Sequence, residues 1–167
     1  MKRIKAKAVV SALALGAITL GARGAGADAK IHGVNFMMKA LIDETFCVSA
    51  NTDTATEGRS VFLAKCTGAE NQRWTYTDGS DGSSVVVGHL GMCLDIRNRR
   101  SGDNTPVQIW RCHYGNNQRF RVTPSGHIKE VQSGKCLTVS KTPADHGAVY
   151  IDECDEQVKQ QTWRLVQ

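Results

Sequence analysis

The chain has 167 residues, 22% of them charged, with 21 Lys and Arg against 16 Asp and Glu and a formal net charge of +5. Five of the basic residues, Lys2, Arg3, Lys5, Lys7 and Arg23, precede the first acid, Asp28, so beyond that segment the charges balance. A balanced chain lacks the basic field that engages phosphates, which excludes nucleic acid as the expected partner.

The first element is the basic run MKRIKAK, followed by the apolar stretch 8–22 and the small residues Ala25, Gly26, Ala27 and Ala29. A membrane span needs ~20 apolar residues, so no membrane insertion is expected. The order of basic, apolar and small residues predicts a secretory signal peptide over residues 1–29, cleaved near 27–29. The rival reading is a retained N-terminal anchor. Export makes the six Cys a disulfide framework rather than a store of free thiols. Residues 30–167 are long enough for one domain with its own core, and no low-complexity linker divides them.

That domain is built from repeats. Gln72–x–Trp74, Gln118–x–Phe120 and Gln161–x–Trp163 recur at intervals of about 45 residues. The copies occupy roughly 36–80, 84–125 and 127–167, and each carries one Cys near its start and one past its middle. Bonds within each copy preserve the symmetry, so the pairs expected are Cys47–Cys66, Cys93–Cys112 and Cys136–Cys154. Zinc is the competing use of six Cys. The pairs lack C-x-x-C spacing and the compartment is oxidising, so no metal is expected.

The predicted elements are strands throughout. The segment 35–46, NFMMKALIDETF, has helical propensity, but its counterparts VVVGHLGM and HIKEVQSGK read as strand then turn, and the repeat decides. DGSDG at 78–82 faintly resembles a calcium loop but lacks the acid at the required spacing, so it is read as a turn. Short apolar or alternating runs follow at 84–87, 108–110, 119–122, 137–139, 149–151 and 162–166, separated by Gly, Asn, Asp and Ser. Arg97, Arg99, Arg100, Arg111, Arg119 and Arg121 make the second copy locally basic, while Asp152, Glu153, Asp155 and Glu156 make the third locally acidic. Both are expected to be solvated faces. Trp74, Phe120 and Trp163 are expected in the core around a three-fold axis. Each preceding Gln should bond backbone within its own repeat, since a buried amide needs partners.

The pattern C-L-D-I, V-Q-I-W-x-C and N-N-Q-x-F, with two fainter copies, resembles the ricin B-type lectin domain from Phe36 to the C-terminus. The resemblance implies a β-trefoil: twelve strands, a six-stranded barrel and three capping hairpins. It implies sugar binding, often of the galactose type, in shallow pockets, up to one per repeat.

In the second repeat the family's sugar positions are all filled. Asp95 matches the carboxylate that accepts from sugar hydroxyls. Gln108 and Trp110 match the side amide and the stacking platform. Asn117 and Gln118 match the amide that donates to a hydroxyl and its supporting neighbour. The residue types suit the task independently of the family. An exposed Trp covers the apolar face of a sugar ring, and a carboxylate with amides meets its hydroxyls. His113 and Tyr114 either line the rim or are ordinary loop residues. Phe120 departs from the family's usual Trp, which should affect packing more than binding.

The other repeats lack the set. The first has Ser49, Phe62 and Ala64 where the second has Asp95, Gln108 and Trp110, although Asn71 and Gln72 remain. The third has Thr138, Tyr150, Asp152 and Gln160. One galactose-type or xylan-type sugar pocket is therefore expected. No nucleophile elbow, H-E-x-x-H or phosphate loop occurs, so the chain reads as a non-enzyme without cofactor. The alternative is a trefoil that binds protein: a targeting subunit of a multi-chain toxin or secreted complex, or a protease inhibitor, with sugar binding secondary.

Overall fold

The computed structural model describes residues 35–51 and 54–167, so the expected signal peptide lies outside the described residues. Twelve strands run in three groups of four. The first repeat holds β1 (Met37–Ala40), β2 (Phe46–Ala50), β3 (Val61–Lys65) and β4 (Thr75–Asp78). The second holds β5 (Ser84–Val87), β6 (Met92–Ile96), β7 (Thr105–Arg111) and β8 (Arg119–Val122). The third holds β9 (Ile128–Glu130), β10 (Cys136–Val139), β11 (Gly147–Asp152) and β12 (Trp163–Val166).

Their pairing closes a ring. β1 pairs with β12, β4 with β5, β5 with β8, and β8 with β9. Single bridges from Phe36 to Trp74 and from His127 to Thr162 join β1 to β4 and β9 to β12. The remaining strands form the hairpins β2–β3, β6–β7 and β10–β11, which cap the ring. This is a β-trefoil. Segment 35–46 contains a strand and a turn, as the repeat required. Phe36, Met38 and Ala40 alternate into the core there, and burial of one face overrides helical propensity.

The core holds Trp74, Phe120 and Trp163 together with the apolar faces of the strands. Trp74 Nε1 donates to Val48 O at 3.1 Å, and Trp163 Nε1 donates to the equivalent Leu137 O at 3.0 Å. Phe120 has no such donor, yet is only 1% exposed. The three disulfides form within repeats, Cys47–Cys66 and Cys93–Cys112 across 19 residues and Cys136–Cys154 across 18. A loop of that size stabilises by about 3 kcal/mol in the chain-entropy account.

The hairpin loops also grip one another in a cycle. Glu57 of the first repeat pairs with Arg111 of the second. Asp103 of the second accepts from Glu153 N of the third at 3.0 Å. Asp145 of the third accepts from Lys65 N of the first at 3.0 Å. The residue after each acid, Gly58, Asn104 and His146, has positive φ (80°, 56° and 60°), which turns the loop toward its neighbour.

The charged stretches are more than solvated faces. Arg97 donates to Gln108, Gly58 O and Ser60 Oγ, while Arg119 and Arg121 pair with Asp81. Asp81 also accepts from Ser83 N and Oγ, which makes 78–82 a hairpin turn between β4 and β5. Lys135 bridges Asp103 and Glu153. The loops bring these groups together across repeats, which local charge counting does not register.

Candidate functional site

The site grows from one cross-strand register. β6 is the run MCLDI, buried at every position, and it pairs with β7 so that Asp95 lies opposite Gln108 and Cys93 opposite Trp110. A carboxylate buried in such a strand needs hydrogen-bond partners for its oxygens. Asp95, 3% exposed, accepts from Gln108 Nε2 at 2.8 Å, Asn117 Nδ2 at 2.8 Å and Gln118 Nε2 at 2.9 Å. His113 Nε2 stands 3.5 Å away.

Each amide has further partners. Gln118 Oε1 accepts from His113 N and Tyr114 N, and its Nε2 also donates to Arg111 O. Gln72 and Gln161 do the same in their repeats, accepting from Thr67 N and Asp155 N and donating to Lys65 O and Glu153 O. The Gln of the repeat motif is thus a loop clasp. Asn117 Nδ2 also reaches Ile96 O at 3.4 Å, as Asn71 Nδ2 reaches Ala50 O at 3.3 Å.

Beside this polar floor stands Trp110, half-buried on β7. The first repeat's loop supports it. Gly58 N donates to Ile109 O at 2.9 Å, and a Cβ on Gly58 would lie 3.6 Å from Trp110 Cζ3. Arg97 anchors the same loop and donates through Nε to Gln108 Oε1 at 3.1 Å. A chain of bonds therefore runs from Arg97 through Gln108 to Asp95.

The result is a pocket of about 290 Å³, near the lower end of the ~300–1,000 Å³ typical of ligand sites. Asp95, Gln108, Trp110 and Asn117, four of the residues the sequence singled out, line it, and so does His113. Gln118, 0% exposed, is not in the wall; it holds Asp95 from behind. Tyr114 is exposed and is not in the wall either. Arg99, which the sequence reading left in solvent, and Asn98, which it did not single out, complete the pocket. Their only signal was an Asn beside a charged run in the loop between the two site motifs.

The equivalent positions elsewhere are filled differently. In the first repeat, Ser49 accepts from Gln72 Nε2 and donates to Cys47 O, and Phe62 stacks on His146 with centroids 4.8 Å apart. In the third, Thr138 donates to Cys136 O and the Tyr150 hydroxyl to Val139 O. Asp152 replaces the platform there. Burial and the neighbouring Asp103 push its carboxyl up, while Lys135 holds the Asp103 carboxyl down.

On a β-trefoil, then, a carboxylate, amides and one aromatic side chain surround a pocket of about 290 Å³. A family model for the ricin-type beta-trefoil lectin domain matches residues 82–167, and a second, for the ricin-type beta-trefoil lectin domain-like family, matches 39–110. The chain belongs to the ricin-type beta-trefoil lectin family, whose domains bind carbohydrate. It is 38% identical over 55 residues to nigrin b of Sambucus nigra, covering 33% of this chain and 9% of that one. The chain spans about a tenth of the length of the curated relatives it matches. The designed three-fold symmetric protein ThreeFoil superposes with a TM-score of 0.75 at 25% identity, covering 80% of this chain and 98% of that one. A non-toxic homologue of type II RIPs from Momordica charantia, solved in complex with alpha-methyl-D-galactoside, superposes with a TM-score of 0.66 at 21% identity, covering 81% and 48%.

Proposed function

We propose that the chain is an exported lectin, without catalytic turnover, that holds one galactose-type or xylan-type sugar in the pocket of its second repeat. The observation that carries this reading is the Asp95 carboxylate, fixed by three amides beside the half-exposed face of Trp110. In this reading the sugar's C–H face lies on the indole, as amphipathic aromatics allow at a wet surface. Its hydroxyls meet the remaining acceptor capacity of Asp95 and the polar atoms of Asn117 and His113.

Three points support the details. Asp95 is the one carboxylate among the residues lining the pocket, whereas glycoside hydrolysis ordinarily uses a pair. Ser49, Phe62, Thr138 and Tyr150 spend their polar atoms on the chain or have none, which favours a single pocket. Three disulfides suit an oxidising compartment, and with it export.

A glycan array tests the reading. Parent chain should retain glycans ending in galactose or built on xylose, and Trp110→Ala should lose them. No retained glycan, or a Trp110→Ala variant that binds like the parent, would remove its basis.

A further inference from the structure

We infer that the pocket prefers a pyranoside carrying an anionic group, a carboxylate or a sulfate ester, and that Arg99 receives that group. This rests on the lectin reading above and deepens it.

The floor cannot provide much selectivity. A carboxylate offers about four lone-pair sites, and three amides already donate to Asp95, with His113 Nε2 close by. Roughly one sugar hydroxyl can still be accepted there. Of the other polar groups on the wall, Arg99 supplies the most donors, and Asn98 stands beside it.

Arg99 differs from most of its basic neighbours; Arg100, likewise without a side-chain partner among the described residues, lies outside the pocket lining. Arg97, Arg111, Arg119 and Arg121 all have side-chain partners. The Arg99 guanidinium has none among the described residues, although it lines the pocket. Of the nearby acids, Asp95 is buried beneath three amides, and Asp103 is engaged by Lys135.

The backbone holds Arg99 at this place. Asn98 and Arg99 are consecutive non-Gly residues with φ of 56° and 55°, a conformation L-residues rarely adopt in succession. The turn is pinned by Arg100 N donating to Arg97 O at 3.2 Å and by Gln132 Nε2 donating to Arg99 O at 2.7 Å. Strain of this kind collects at ligand-binding sites, and a fixed base lowers the ordering cost of binding. An unpaired guanidinium fork on such a base matches a carboxylate or sulfate bidentately, which a neutral hydroxyl cannot do.

The test is calorimetric titration of the purified chain with methyl galactoside, methyl galacturonide and galactose 6-sulfate at low and high salt. An anionic sugar should bind about tenfold tighter than the neutral one at low salt, with the advantage eroding as salt is raised. The carboxylate and sulfate arms show which anion is preferred, and either one supports the inference. Arg99→Asn, whose side chain tolerates the left-handed backbone, should bring the ratio close to one. Arg100→Gln, which removes the same charge outside the pocket lining, should leave the ratio high. Equal affinities for neutral and anionic sugars, or a preference that survives Arg99→Asn, would overturn the inference while neutral-sugar binding kept the lectin reading intact. Failure of all three sugars to bind, and of methyl xyloside titrated beside them, would overturn both.

Discussion

Asp95 and Gln108 face each other across β6 and β7, and the Gln108 amide donates to the Asp95 carboxylate at 2.8 Å. The same register holds Ser49 opposite Phe62 in the first repeat and Thr138 opposite Tyr150 in the third. One backbone geometry thus occurs three times, and only in the second repeat does it carry a polar pair that can orient a carboxylate. Arg97 extends the pair outward and ties it to the loop that backs Trp110. Floor and platform are therefore braced by the same contacts.

Floor and platform should respond differently to substitution. Trp110 is half-buried and its nitrogen makes no bond to the rest of the chain among the described residues. Trp110→Ala should cost about 1–2 kcal/mol in sugar affinity through lost apolar contact, with little change in the urea midpoint. A large shift of that midpoint would mean that the indole holds the fold rather than the ligand.

Asp95→Ala should cost both binding and stability. It leaves Gln108, Asn117 and Gln118 with buried donors that have lost their shared acceptor. Each unsatisfied donor costs about 1–3 kcal/mol and relaxation recovers part of it, so a loss of about 3–5 kcal/mol is expected by urea denaturation. Ser49→Ala, at the equivalent position, should cost about 1 kcal/mol, since it removes a single acceptor of the Gln72 amide.

The motif Gln should prove structural in every repeat. Gln72→Ala and Gln161→Ala each break a clasp made of backbone bonds, and a loss of about 2–3 kcal/mol is expected for each. Neither residue approaches the pocket, so sugar affinity of the folded variants should stay at the parent value. A selective loss of binding in either one would contradict the clasp role.

Acid should weaken the fold through its paired and hydrogen-bonded carboxylates. Lys135 holds the Asp103 carboxyl low, Arg111 does so for Glu57, and Ser83 does so for Asp81. An acid depressed in the folded chain contributes stability above its unfolded value, near ~4, and loses it as pH falls through the folded value. Asp152 acts in the opposite sense, because burial and Asp103 raise its carboxyl, so its contribution is lost as pH rises. With Asp43, held low by Thr45, four lowered acids stand against one raised acid, and the melting temperature should fall below about pH 4. Asp103→Asn should melt lower at pH 7 and lose less on acidification. A melting temperature that rises toward pH 3 would contradict this balance.

Much of this was legible in the sequence, for identifiable reasons. The Cys pairs and Q-x-aromatic motifs repeat with the fold's own period, so the strands, the disulfides and the core aromatics could be read directly. Asp95 and Trp110 stood out because both sister copies lack the same residue types, whereas Asn117 keeps a counterpart in Asn71 and stood out only as part of the full set. Arg97 could not be placed, because its partners Gly58 and Ser60 come from another repeat's loop. The place of Asn98 and Arg99 on the pocket wall was hidden because it depends on two left-handed residues in succession, which composition does not reveal. Gln108 was read as a sugar contact, yet both ends of its amide are bonded inside the protein, to Arg97 and Asp95. The cycle of Glu57, Asp103 and Asp145 emerges only when the three loops are compared in space.

The central claim is one sugar site, in the second repeat. Calorimetric titration of the chain with a monovalent galactoside or xyloside tests it most directly. A single pocket that stacks one sugar face and adds a few hydrogen bonds should give a dissociation constant of roughly 0.1–10 mM. The account predicts one sugar per chain and a dissociation constant raised roughly 5–30-fold by Trp110→Ala. Two or three sugars per chain, with affinity unchanged by Trp110→Ala, would place the activity in the repeats that this account leaves empty.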